Sequence, residues 1–111
     1  MFWAIICNNR RGMELYFHDP SYDRLEVDAA YLHGFPAAVV TLYRMRLQLL
    51  RAARDTGDLA AMRCLRFSPL ETRSSREYSV HLTNRYGLIV ELRTQAGRNV
   101  LWVVEVRISQ P

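Results

Sequence analysis

The sequence predicts an α+β fold in which two N-terminal helices pack on one face of a small antiparallel sheet. The sheet is predicted from short segments between residues 65 and 106 in which apolar and polar residues alternate with a period of two. The helices are predicted from apolar residues at helical spacing between residues 21 and 54. With 111 residues, half of them apolar, the chain can form one modest core but not two.

Four segments form the core of the predicted sheet. They are residues 65–67, 77–82, 88–92 and 100–106, which carry β-branched and aromatic residues at alternate positions. Residues 94–98 contain Gly97 and form a five-residue connection, short enough to close a hairpin between the last two strands. A further strand is expected at residues 13–18, before the helices.

Two helices are expected between that first strand and the rest of the sheet. Asp19, Pro20 and Ser21 signal a helix start, because Asp or Ser caps free N–H groups and Pro suits the first turn. We expect this helix to cover residues 21–32 and a second, strongly amphipathic helix to cover residues 36–54.

Arg46 falls among the apolar residues of the second predicted helix. A buried guanidinium without a partner costs several kcal/mol, so Arg46 must pair with a carboxylate or reach an opening. Glu91 and Glu105 on the sheet are the candidate partners. Six aromatic side chains are expected in the core rather than on a base-stacking surface: Tyr16, Phe17, Tyr22, Tyr31, Tyr43 and Trp102.

The formal net charge of +4 is unevenly distributed. All fifteen basic residues are arginine. Residues 1–58 carry seven of them and seven acidic residues, whereas residues 59–111 carry eight against four glutamates. This basic second half suggests that the sheet meets a polyanion or an acidic protein. Exposed strands also carry arginine simply because the side chain is solvated, so the charge distribution alone does not establish a partner.

No sequence feature predicts a metal, a cofactor or a small-molecule substrate. Cys7 and Cys64 lie in no CxxC pair and beside no cluster of His and Asp, so neither a zinc site nor a disulfide framework is expected. There is no Gly-rich phosphate loop, GxSxG elbow or HExxH motif.

Residues 1–12 fit poorly with the rest of the chain. The hexapeptide at 2–7 (FWAIIC) is too short to span a membrane and is preceded by no basic residue, so we expect a cytoplasmic protein without a membrane partner. We interpret residues 1–12 as an N-terminal extension, with translation naturally starting at Met13, and residues 13–111 as the single domain. An extra edge strand at 2–7 is the competing interpretation.

The predicted order of elements is one strand, two helices and a run of antiparallel strands. Several short sequence motifs occur along these elements. They are 42–47 (LYRMRL), Ala52-Ala53, Asp58-Leu59, Val104-Glu105-Val106 and above all 70–88 (LETRSSREYSVHLTNRYGL). In the last, the aromatic-Ser pair Tyr78-Ser79 precedes an aliphatic strand and a later aromatic, Tyr86. With these features, residues 13–108 resemble bacterial toxins of the RelE/HigB group, the toxin halves of type II toxin–antitoxin modules.

The resemblance implies a small fold with helices on one face of an antiparallel sheet. It also implies an endoribonuclease that cleaves mRNA within the ribosome, needs no metal, and is inhibited by an antitoxin wrapped around it. Such toxins stabilise the charge on the phosphate with Arg and Lys and transfer protons through Lys, Tyr or His.

Several positions depart from the family pattern. Where the family has Lys and Arg in its basic turn, this chain has Glu71 and Ser74, and the Arg after the second aromatic is replaced by Gly87. The aromatic and His that close the family's last strand fall near Ser109 and Gln110. Either other side chains have taken over, or catalysis has been weakened or lost.

Four residues are the candidate substitutes. Arg73 and Arg76 flank the missing turn residues, and Arg85 lies two positions before Gly87. His81 lies on the polar face of its strand and can exchange a proton near neutral pH. We therefore predict Arg73, Arg76, His81 and Arg85 as the catalytic group, although each is also explained as a solvated surface residue.

Three functions follow from these observations. The first is a toxin that cleaves mRNA on the ribosome, with an antitoxin as its protein partner. The second is a binding protein of the same fold, either a decayed toxin that still holds its antitoxin or a relative of the ParE type acting on DNA gyrase. The third is a nucleic-acid-binding regulator that uses only the basic sheet.

Overall fold

A computed structural model describes residues 13–70 and 76–108, and the α+β prediction is confirmed. In chain order the elements are strand β1 (Glu14–Phe17), helices α1 (Pro20–Val27), α2 (Ala37–Ala52) and α3 (Thr56–Ala61), a 3-10 turn (Arg63–Leu65), and strands β2 (Ser68–Pro69), β3 (Glu77–His81), β4 (Tyr86–Gln95) and β5 (Arg98–Ile108). The predicted extension, residues 1–12, lies outside the described residues.

The five strands form one sheet in the order β1-β5-β4-β3-β2. All neighbours are antiparallel except β1, which runs parallel to β5. The fully buried side chains Val80, Leu88, Val90, Leu101 and Val103 face the helices and form one core with them. We call the opposite face of the sheet the outer face. None of the helices within 13–70 and 76–108 is long and apolar enough to cross a membrane.

Helix α1 begins as predicted but ends earlier. The Asp19 carboxylate accepts a hydrogen bond from the Ser21 N–H at 2.9 Å, which caps the first turn. The helix stops at Val27, five residues before the predicted end, because Arg44 of α2 donates to the carbonyls of Leu25 and Asp28 at 3.0 and 2.9 Å. A tertiary contact therefore ends this helix.

Helix α2 lies within two residues of its predicted bounds. Its buried side chains recur at helical spacing and form the middle of the core: Val39, Val40, Tyr43, Leu47 and Leu50. Tyr43 is fully buried, and its hydroxyl donates to the Tyr22 carbonyl at 2.8 Å. Burial raises its pKa far above the usual range, so this phenol stays neutral.

The strand predicted at residues 65–67 is wrong. Leu65 ends the 3-10 turn and is fully buried, while Arg66 adopts the left-handed conformation with φ 44° and ψ 47°. Phe67 then stacks on Tyr78, with ring centroids 4.5 Å apart and planes inclined by only 9°. The edge strand β2 begins at Ser68, one residue after the end of the predicted segment, because the buried Leu65 and the stacked Phe67 bend the chain at Arg66.

The hairpin between β4 and β5 is tighter than predicted. The ladder continues to the pair Gln95 and Arg98, so the turn consists of Ala96 and Gly97 alone rather than residues 94–98. Both turn residues have positive φ, 52° and 77°. This is the backbone that two-residue hairpin turns require, because its twist matches that of the flanking strands.

A β-bulge decides which face the end of β5 presents. Val90 pairs with Val103 and Ile89 with Glu105, which leaves Val104 as the extra residue. Strict alternation after Val103 would point Glu105 into the core. The bulge instead turns Val106 inward, with 6% of its surface exposed, and places Glu105 and Arg107 on the outer face.

Two of the aromatic residues expected in the core lie on the outer face. The rings of Tyr16 and Trp102 stack with centroids 5.1 Å apart, and neither belongs to the core cluster. The Arg93 guanidinium lies over the Trp102 ring at 4.5 Å, and the Trp102 indole N–H donates to Gln95 at 2.9 Å. Tyr22 and Tyr43 are buried as predicted, and Phe17 and Tyr31 pack against the core.

Candidate functional site

The candidate site lies where three strands end side by side on the outer face. His81 of β3 pairs with Gly87 of β4, which pairs in turn with Arg107 of β5. Paired residues project from the same face, and neighbouring strands are about 4.8 Å apart, so His81 and Arg107 flank Gly87 across about 10 Å. Because Gly87 has no side chain, this row of paired residues places no side chain between the imidazole and the guanidinium.

The surroundings of His81 favour its neutral form. Burial, and then the positive charges of Arg66 and Arg46, lower the pKa of His81 below its ordinary value of 6.5. The imidazole is therefore neutral at pH 7 and can accept a proton, while two arginines beside it can stabilise negative charge. A proton acceptor next to fixed cations is the arrangement that phosphate-ester chemistry requires.

Arg66 reaches this site through an unusual backbone. A non-glycine residue in the left-handed conformation costs roughly 1–2 kcal/mol. The buried Leu65 before it and the stacked Phe67 after it hold the chain in that conformation. Strain of this kind is concentrated at functional sites, where surrounding packing imposes it.

Arg46 has a different partner from the one predicted. Its Nε–H donates to the backbone carbonyl of His81 at 3.1 Å, and neither Glu91 nor Glu105 binds it. Glu91 pairs with Arg93 at 2.9 Å, and Glu105 pairs with Arg107 at 2.6 Å. The prediction was wrong because both glutamates lie on the outer face, whereas α2 packs on the other side of the sheet.

The structure separates the four residues that the sequence nominated. His81 ends β3, and Arg85 is exposed in the tight turn that follows, where the Thr83 hydroxyl accepts hydrogen bonds from the Arg85 and Tyr86 N–H groups at 3.2 and 3.1 Å. Arg76 precedes the other end of β3, about 16 Å from His81 at 3.3 Å per residue. Arg73 lies outside the described residues. Their catalytic roles stay predictions.

Positive charge is not spread evenly along the sheet. The salt bridges of the described residues neutralise Arg93 and Arg107 on the outer face, Arg24 and Arg51 on the helices, and Arg54 between α2 and α3. Within residues 13–70 and 76–108, no salt bridge involves Arg46, Arg66 or Arg85. These three lie in or next to the elements that meet at the end of β3, so their charge is available there.

A groove of about 560 Å³ lies along the edge strand β1, at the opposite side of the sheet from β2. Its lining includes Phe17, His18, Asp23 and Arg51. It contains none of the predicted catalytic residues, and Arg51 is engaged there by the Glu26 carboxylate. This groove is therefore separate from His81.

Sequence reasoning missed Arg66, Arg46 and Arg107 as site residues. The face of Arg107 depends on the bulge at Val104, which the sequence does not reveal because apolar residues occur at both odd and even positions of this segment. The position of Arg66 depends on a left-handed residue and that of Arg46 on a backbone carbonyl. Neither leaves a pattern in the sequence.

No protein-family model matches the sequence, and a search of curated proteins found no match. Among solved structures, the chain is similar to a YoeB/ParE toxin from Agrobacterium tumefaciens. The sequence identity is 14% and the TM-score 0.55, and the similarity covers 88% of this chain and 100% of that chain. At this identity the similarity concerns the fold, so the chain shares its α+β fold with a YoeB/ParE toxin.

Proposed function

We propose that this protein is the toxin of a type II toxin–antitoxin pair and cleaves mRNA on the ribosome without a metal ion. The observation that carries the proposal is the position of His81 at one end of the outer face, where burial and the charges of Arg66 and Arg46 lower the pKa of its imidazole. The shared fold with a YoeB/ParE toxin supports the same conclusion. The partners proposed are a cognate antitoxin protein and ribosome-bound mRNA.

The proposed reaction starts with proton transfer from a ribose 2′-hydroxyl to a ring nitrogen of His81. The 2′-oxygen bonds to the adjacent phosphorus, the bond from phosphorus to the 5′-oxygen breaks, and the leaving oxygen takes a proton from water. The products are a 2′,3′-cyclic phosphate and a 5′-hydroxyl. Arg66 stabilises the charge that develops on the phosphate oxygens, and Arg85 and Arg107 border the path of the RNA backbone.

One observation favours a second function. Gly87 supplies no side chain at the centre of the row between His81 and Arg107, where the resembling toxins have an arginine. A site without that cation binds a phosphate less tightly in its transition state. A protein of this fold that binds an antitoxin or DNA gyrase without cutting RNA is therefore the alternative.

Induced expression in a bacterium, with growth and mRNA integrity followed together, separates these functions. The proposal expects growth arrest with cut mRNA. Arrest with intact mRNA and damaged DNA would favour gyrase inhibition, and normal growth would favour a binding protein without toxic activity. Both of these outcomes contradict the proposal.

Two variants sharpen this experiment. His81→Gln is expected to abolish both growth arrest and cleavage, because the amide cannot accept the proton. His18→Gln is the matched control, since His18 is half-exposed beyond the end of β1 and pairs with Glu91 at 3.1 Å, away from the site. Retained toxicity in His81→Gln at equal protein level would overturn the role of His81.

A further inference from the structure

We propose that Arg46 is the positioning residue of the site, and that it holds the end of β3 so that the His81 imidazole is correctly placed. This inference rests on the proposed function for its catalytic consequence. Its structural part stands on the contact between the Arg46 Nε–H and the His81 carbonyl, 3.1 Å long and partly buried.

The contact acts where the strand would otherwise be loosest. His81 is the last residue of β3, and the chain turns back within the next four residues. Arg46 belongs to α2, the longest helix, whose neighbouring residues Tyr43, Leu47 and Leu50 are fully buried. The hydrogen bond therefore ties the orientation of the His81 peptide to the most rigid part of the core.

The charge of Arg46 adds an electrostatic effect. Burial is the main cause of the lowered pKa of His81, and the charges of Arg66, after the 3-10 turn, and of Arg46, from α2, add to it. Arg85 lies in the following turn, and the Arg107–Glu105 ion pair lies beyond Gly87 on β5. Arg46 thus serves as a hydrogen-bond donor and as a fixed cation.

An alternative explanation is that Arg46 only stabilises the fold. Its stem lies among apolar side chains of α2, so any truncation costs packing. A structural role alone would lower the stability of the protein but would leave the proton affinity of His81 and the pH profile of cleavage unchanged. These two quantities therefore decide between the explanations.

The test is NMR titration of the three histidines, with His81 assigned by its loss in His81→Gln. Arg46→Gln keeps a donor but removes the charge, and it is expected to raise the pKa of His81. Arg46→Lys keeps the charge and is expected to leave that pKa lowered. Arg51→Gln, on the same helix but paired with Glu26, is the control and should have no effect on His81.

Cleavage kinetics provide the second measurement. Arg46→Gln is expected to lower kcat by roughly 10- to 100-fold with little change in KM, because the fixed cation beside the developing negative charge is lost, and to move the acid limb of the pH profile to higher pH. Arg46→Lys should recover part of kcat. An unchanged His81 pKa in folded Arg46→Gln would overturn the inference. A wild-type protein that cuts no RNA would overturn the proposed function, while the titration would still decide the role of Arg46.

Discussion

At the scale of single residues, the account depends on the electrostatic environment of His81. The imidazole is at the end of a strand, where burial, and then the charges of Arg66 and Arg46, disfavour its charged form. A histidine placed in this way is useful as a proton acceptor at neutral pH, but it makes the folded state sensitive to acid.

The sign of that sensitivity is fixed by the lowered pKa. Above pH 6.5 His81 is neutral in both the folded and the unfolded chain and contributes nothing to pH dependence. As the pH falls below 6.5, the unfolded chain binds the proton first, so stability is lost down to the folded-state pKa. We therefore expect wild type to lose more unfolding free energy between pH 7.5 and pH 5 than His81→Gln.

Urea denaturation at the two pH values measures this difference. The two proteins are compared at each pH. Both contain the same carboxylates and the same other histidines, so the contributions of those groups to the pH dependence cancel. An equal loss of stability in wild type and His81→Gln would mean that the imidazole is not held in a cationic environment.

Residue-scale features were also the hardest to predict from sequence. The period-two pattern placed His81 on the polar face of β3, and the structure agrees. The same pattern could not place Arg66, because its left-handed backbone results from burial of Leu65 and stacking of Phe67 on Tyr78. The partner of Arg46 is a main-chain carbonyl, which every residue has, so no spacing rule singles it out.

At the scale of elements, the tightest structural constraint is the turn between β4 and β5. Ala96 has φ 52°, a conformation that costs an ordinary side chain roughly 1–2 kcal/mol. Asn tolerates this conformation, and Asn-Gly is the preferred pair in such turns. We expect Ala96→Asn to raise the unfolding free energy by about 1 kcal/mol in urea denaturation.

A substitution at the neighbouring Gly97 is expected to have the opposite effect on stability. Gly97 has φ 77° and open space around its Cβ position, so Gly97→Ala adds only backbone strain. This variant should lower the unfolding free energy by about 1 kcal/mol. Stability that is unchanged in both variants would mean that the hairpin is not closed by a two-residue turn.

Elements with a strong hydrophobic period were placed correctly along the chain, whereas ends set by tertiary contacts were not. The predicted bounds of α2 agree within two residues and those of β3 within one, but β4 and β5 extend two or three residues beyond the predicted 88–92 and 100–106 at each end. The end of α1 is set by Arg44, a residue of another helix, so the sequence of α1 could not reveal it. The face presented by Arg107 depends on the bulge at Val104.

At the scale of the whole molecule, one face of the sheet packs against the helices, and the candidate site lies at one end of the other face. The helices cover one face and fix the core, and the outer face is crossed by ion pairs and the Tyr16–Trp102 stack. Arg46, Arg66 and Arg85, which take part in none of these ion pairs, lie in or next to the elements that meet where β3 finishes.

The most direct test is cleavage of a defined mRNA on purified ribosomes by the purified protein, with both fragment ends analysed. The account predicts cuts that leave a 2′,3′-cyclic phosphate and a 5′-hydroxyl, reduced by roughly 100-fold or more in His81→Gln and retained in His18→Gln. Intact mRNA in the presence of folded wild-type protein, or equal cleavage by His81→Gln, would contradict it.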